Sequence, residues 1–137
     1  MKRVAIWSDV HIPYQDEAAH SLLLAFLQDW KPDVCVIAGD LLDFYPLSPF
    51  DKDPRRRFEL SKELKQAHEY LDSVNAVLSP TAEKVLIGGN HEDRLRRYLW
   101  RAAPELEDLP ELEVEVLLGL EERGWRAATA AGTSSER

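Results

Sequence analysis

The chain has 137 residues, 45% of them apolar and 31% charged, with a net charge of −8. That is room for one domain and an ordinary globular balance, which excludes wholesale disorder, collagen and low-complexity classes. One cysteine, Cys35, leaves no intrachain disulfide and no CxxC metal or redox motif.

Lys2 to Ser8 is short, β-branched and aromatic, and reads as a buried strand. Only four apolar residues, Val4 to Trp7, follow the basic start, too few for a secretory signal. The longest apolar run, Leu22 to Leu27, is too short to span a membrane, so a cytoplasmic location is expected. Asp16 to Trp30 predicts a helix with Leu22, Leu23, Phe26 and Leu27 as its apolar stripe. Asp33 to Ala38 is a second continuous apolar strand, and Phe44 to Arg57, with Pro46, Pro49 and Pro54, is a loop. Glu59 to Leu78 is the clearest helix: Leu60, Leu64, Ala67, Leu71, Val74 and Leu78 recur at alternating spacings of four and three. Lys84 to Ile87 is a third strand, followed by Gly88-Gly89. Glu92 to Arg101 and Glu113 to Glu122 read as helices. Ala127 to Arg137 is small and polar and is expected to be a disordered tail. Apolar strands alternating with helices indicate an α/β fold with a parallel sheet.

Charge is uneven. Residues 103–122 carry Glu105, Glu107, Asp108, Glu111, Glu113, Glu115, Glu121 and Glu122 and no base, whereas residues 1–102 are close to neutral. This argues against a general nucleic-acid coat protein, which needs a basic face. The acidic segment, the Arg55-Arg56-Arg57 cluster, His20 and His68 read as surface or boundary features. Cys35 and the four tryptophans read as packing residues.

Chemistry gathers at the strand ends, where open α/β sheets place their sites. Ser8-Asp9-Val10-His11 follows the first strand, Gly39-Asp40-Leu41-Leu42-Asp43 the second, and Gly88-Gly89-Asn90-His91-Glu92 the third. Parallel strands set these ends side by side. Carboxylate, imidazole and amide groups would then converge, a ligand set for divalent Mn, Fe, Zn or Ni.

The ordered motifs D-x-H at Asp9–His11, G-D-x-x-D at Gly39–Asp43 and G-N-H-E at Gly89–Glu92 resemble the calcineurin-like metallophosphoesterase superfamily, in its small bacterial and phage branch. The resemblance covers residues 1–102 well and continues weakly to Arg126. It implies the N-terminal half of an α/β/β/α sandwich, with 1–126 a partial domain and residues 103–126 an acidic helical segment. It implies hydrolysis of phosphomono- or phosphodiesters by a hydroxide activated between two divalent metal ions. Asp9 and His11 would bind the first metal, Asp40 would bridge both, and Asn90 would bind the second. His91 would protonate the leaving alkoxide, Asp43 would orient His91, and one of Arg94, Arg96 and Arg97 would meet a substrate phosphate. Nucleotides, nucleic acids and phosphoproteins are the candidate substrates.

The family's later Gly-His and Gly-His-x-His motifs have no counterpart here: the histidines are His11, His20, His68 and His91. The chain is therefore read as truncated. A half-sandwich would leave an apolar sheet face open to self-association. The alternative function is an inactive remnant or binding module with a partial metal site. A dinucleotide-binding domain is disfavoured, since no G-x-G-x-x-G follows the first strand.

Overall fold

A computed structural model describes residues 1–56 and 59–128. Arg57 of the expected loop and residues 129–137 of the expected tail lie outside the described residues. Four strands, β1 (Val4–Trp7), β2 (Val34–Ala38), β3 (Glu83–Ile87) and β4 (Arg126–Ala128), form one parallel sheet in the order β1-β2-β3-β4. The α/β class expected from the sequence is what the chain adopts.

Register partners in a parallel sheet share a face. Ala5 and Trp7 therefore lie with Cys35, Ile37 and Leu86 on one face. Helices α1 (Glu17–Trp30) and α2 (Leu60–Val77) cover this face. Trp7 Nε1–H donates to the Tyr70 hydroxyl of α2 at 3.1 Å. Val4 and Ile6 point to the other face with Val36 and Val85. Ile6 is 66% and Val4 45% exposed, so at β1 this face is apolar and open.

Asp16 caps α1 by accepting from the Ala18 and Ala19 N–H groups, and a left-handed Lys31 followed by Pro32 ends it. The expected stripe of α1 is half right. Leu27 is fully buried and Leu23 partly so, but Leu22 and Phe26 are exposed. The helix turns about 100° per residue, and the face that meets α2 is the one with His20, whose ring stacks on Tyr70 at 4.2 Å and bonds Ser73. The expected stripe of α2 packs throughout: Ala67, Leu71 and Val74 are fully buried and Leu60 and Leu64 lie against the core. Burial pushes the Cys35 thiol up to about 11, which makes it an inert packing group.

Other sequence expectations also need correction. The helix expected over 92–101 is α3 (Asp93–Ala102), whereas the helix expected over 113–122 shrinks to α4 (Val114–Leu117), because Gly119 turns the chain at φ +58°. The expected tail begins too early, since Ala127 and Ala128 belong to β4. Small side chains hid this edge strand. What fixes it is contact upstream: Trp125 Nε1–H donates to Asn75 Oδ1, and the Arg123 carbonyl accepts from Asn75 Nδ2 and Lys84 Nζ. His68 ties α2 to the end of α4 through the Leu117 carbonyl at 2.7 Å, so it is structural and no ligand. Trp100 is 54% exposed under Arg96 and does not join the core.

Candidate metal centre

The loops after β1, β2 and β3 are stitched into one shelf. Backbone bonds from Asp9 N–H to the Gly39 carbonyl, His11 N–H to that of Asp40, Ile12 N–H to that of Leu41 and Asp43 N–H to that of Ile12 zip the first two together. Glu92, 5% exposed, clamps the second to the third. One carboxyl oxygen accepts from the Asp40 and Gly89 N–H groups at 2.9 and 2.8 Å, and the other accepts from Leu42 N–H at 2.8 Å. In the sequence Glu92 is only the last letter of a motif, and nothing in its pattern signals this clamp.

Backbone shape is unusual where the chemistry lies. Asp9, His11 and Asp40 all have left-handed φ, at +57°, +52° and +55°. Asp and His tolerate this region better than most side chains, yet it is sparsely populated, and such residues cluster at functional sites. Gly39 and Gly89 let the two strand ends approach. A Cβ on Gly89 would stand 2.3 Å from Asp40 Oδ1 and 2.6 Å from Asp40 N, whereas one on Gly88 meets nothing within 4 Å. Gly89→Ala is therefore expected to displace Asp40 and lower Mn²⁺ affinity at least about tenfold, with Gly88→Ala near parental. Isothermal titration of the two variants checks this, and equal affinities would contradict it.

Within the shelf, His11, Asp40 and His91 each offer one ligand atom, and these atoms lie within 4.8 Å of one another. His11 is held like a metal-ligating imidazole. Its Nδ1 faces Asp43 Oδ1 at 3.2 Å, and a carboxylate can only accept, so Nδ1 carries the proton. That leaves Nε2 with a free lone pair, the carboxylate–histidine arrangement typical of metal sites. Nε2 is 3.5 Å from Asp9 Oδ1, a spacing suited to two ligands of one ion with bonds of about 2.1 Å. The Ser8 hydroxyl, donating to the Asp9 carboxylate, holds its pKa below the usual value. Asp40 Oδ1 accepts the His91 backbone N–H at 3.0 Å. The carboxylate and imidazole donors fit a borderline divalent cation. Asn90 is exposed on the same loop, beside His91.

His91 is engaged differently. Its Nδ1 lies 2.8 Å from the Asp43 main-chain carbonyl, and Arg94 Nη2 lies 3.3 Å from its Nε2. A carbonyl only accepts and a guanidinium only donates, so this geometry assigns the Nδ1–H tautomer. Asp43 thus serves two histidines, His11 mainly through its side chain and His91 mainly through its backbone. The Asp43 carboxylate is also 3.5 Å from His91 Nδ1. Of the three arginines, Arg94 enters the shelf: Nη1 donates to the Asp43 carbonyl at 2.8 Å and the side chain is mostly buried. Arg96 and Arg97 pair with Asp93 and stay exposed.

Beneath Asp43 lies Glu63, fully buried, whose Oε1 accepts the Phe44 N–H at 2.6 Å. Burial pushes its carboxyl from 4.5 up to about 7, against the opposite pull of that N–H. Between these values the folded chain keeps a proton that the unfolded chain has released. The stabilisation is full below the unfolded value and is lost as pH rises through about 7, a fall of up to about 3 kcal/mol. Urea denaturation at about pH 5 and about pH 8 should show Glu63→Gln losing that share of the decline; an identical decline in both proteins would refute it.

A family model described as calcineurin-like phosphoesterase matches residues 2–126. The Gene 54 protein of Mycobacterium phage D29 is 31% identical over 108 residues, and the Gene 54 protein of Mycobacterium phage L5 is 28% identical over 108 residues. Each match covers 77% of this chain and 42% of the relative, so the chain spans less than half the length of these relatives.

Proposed function

The chain belongs to the calcineurin-like phosphoesterase family, and from that premise we propose that its strand-end shelf hydrolyses phosphate esters with the help of two divalent metal ions. The observation that carries the reading is the convergence of His11, Asp40 and His91 at the ends of three adjacent parallel strands. In this reading Asp9, His11 and Asp40 would hold one ion, and Asp40 and Asn90 the other. When bound, such ions act as Lewis acids that lower the pKa of water and neutralise phosphoryl charge.

The remaining work falls to the chain itself. The Asp43 carboxylate keeps the proton of His11 on Nδ1 and so aims Nε2 into the site. His91 keeps its Nδ1 proton on the Asp43 carbonyl. Once Arg94 Nη2 turns from it to the phosphoryl oxygen, Nε2 is the nitrogen that takes up a proton from solvent and gives it to the leaving alkoxide as the P–O bond breaks. Arg94, anchored through Nη1, offers Nη2 to a phosphoryl oxygen. The substrate class is a phosphomono- or phosphodiester, with manganese the first metal to test.

Hydrolysis of bis(p-nitrophenyl) phosphate with added Mn²⁺ tests this. His91→Ala is expected to lower kcat at least about 100-fold and to leave Mn²⁺ affinity intact. Parental kcat in the variant would remove His91 from the chemistry, and a collapse of Mn²⁺ affinity would make it a ligand instead. A second reading, a metal-binding module without turnover, draws on the small share of the second ion's ligands, Asp40 and Asn90, assigned among the described residues. Mn²⁺ binding without hydrolysis would favour it.

A further inference from the structure

The Asp43–Phe44 peptide unit is held from both ends. Its C=O accepts from His91 Nδ1 at 2.8 Å and from Arg94 Nη1 at 2.8 Å. Its N–H donates to Glu63 Oε1 at 2.6 Å. Phe44 is fully buried with φ +50°, a conformation that a non-glycine residue adopts only under constraint. Glu63 projects from the first turn of α2 and is itself fully buried, and its second oxygen, Oε2, bonds to no described residue. A carboxyl placed there solely to fill space would be a costly choice beside leucine.

We propose that Glu63 is a positioning residue for the site: by gripping the N–H end of the Asp43–Phe44 peptide, its buried carboxyl fixes the C=O end, from which His91 and Arg94 take their orientation. A peptide plane is rigid, so pinning one end sets the direction of the other. Accepting the N–H also polarises the amide and strengthens its carbonyl as an acceptor. Helix α2 thereby acts on the tautomer of His91 through the Asp43–Phe44 peptide. The consequence for turnover rests on the phosphoesterase reading, whereas the coupling between Glu63 and His91 does not.

The test compares Glu63→Leu, which removes the acceptor, with Glu63→Gln, which keeps an oxygen for the Phe44 N–H. Nitrogen-15 NMR of the imidazoles reads the His91 tautomer, and amide exchange reads Phe44. The parent and Glu63→Gln should show His91 protonated on Nδ1 and the Phe44 amide slowed on the order of 100-fold. Glu63→Leu should lose both, with kcat about tenfold lower at a KM within about twofold. A folded Glu63→Leu protein with unchanged His91 signals would overturn the proposal. If that variant fails to fold, the parent decides: an Nε2–H tautomer, or a Phe44 amide exchanging at the rate of an open loop, overturns it equally. A tautomer shift in Glu63→Leu alongside a parent with no metal-dependent turnover would establish the coupling and bring down the phosphoesterase reading.

Discussion

Glu92→Ala should destabilise the chain by about 4 kcal/mol. Three backbone N–H groups, of Asp40, Leu42 and Gly89, converge on this one carboxyl, and it is almost fully buried. Hydrogen bonds to a charged acceptor contribute about 1.5–3 kcal/mol each, and a buried donor left without a partner costs as much again. Partial collapse and entering water offset part of this. Glu92→Gln is expected to cost less, about 2 kcal/mol, since its NH₂ would turn a donor toward a donor on one side while its carbonyl still accepts on the other. Urea unfolding measures both, and an alanine variant within about 1 kcal/mol of the parent would mean that the clamp does not hold the shelf. Because a domain of this size has only about 5–15 kcal/mol in total, the alanine variant is also expected to lose metal binding.

Asp40→Asn should lower Mn²⁺ affinity by at least about 100-fold while leaving the fold intact. The amide is nearly isosteric with the carboxylate, and its oxygen can still accept the His91 backbone N–H. What disappears is the negative charge, at the residue assigned to both ions. Asp9→Asn should do less, because Asp9 is exposed at the edge and is assigned to one ion in the proposed reading. Calorimetric titration separates these outcomes, and parental affinity in Asp40→Asn would end the assignment of Asp40 as the central ligand.

Much of this site is legible in the amino-acid sequence. The three motif-bearing strand ends, their parallel pairing and the placement of Asp9, His11 and Asp40 follow from continuous apolar runs that end in Gly, Asp and His. The α2 stripe is equally plain because its period is strict and its packing continuous. What the sequence conceals is held by contacts between distant segments. Glu92 stands in the sequence only as the last letter of a motif, and Glu63 carries no signal within the α2 pattern, yet each faces inward and caps the backbone of a loop 19 to 52 residues away. Left-handed φ at Asp9, His11 and Asp40 leaves no mark in composition. β4 escapes notice because Arg126, Ala127 and Ala128 carry little β preference, and the strand is set by Trp125 and Arg123 anchoring to α2 and β3. Leu22 and Phe26 mislead because apolar residues also crowd the outer side of α1.

Anomalous diffraction from crystals grown with Mn²⁺ would decide whether the three strand ends form a divalent-metal centre. A manganese peak is expected within bonding distance of His11 Nε2 and the Asp40 carboxylate, with Asp9 beside it. No peak on the shelf at saturating Mn²⁺, or a peak bound to neither His11 nor Asp40, would contradict that assignment.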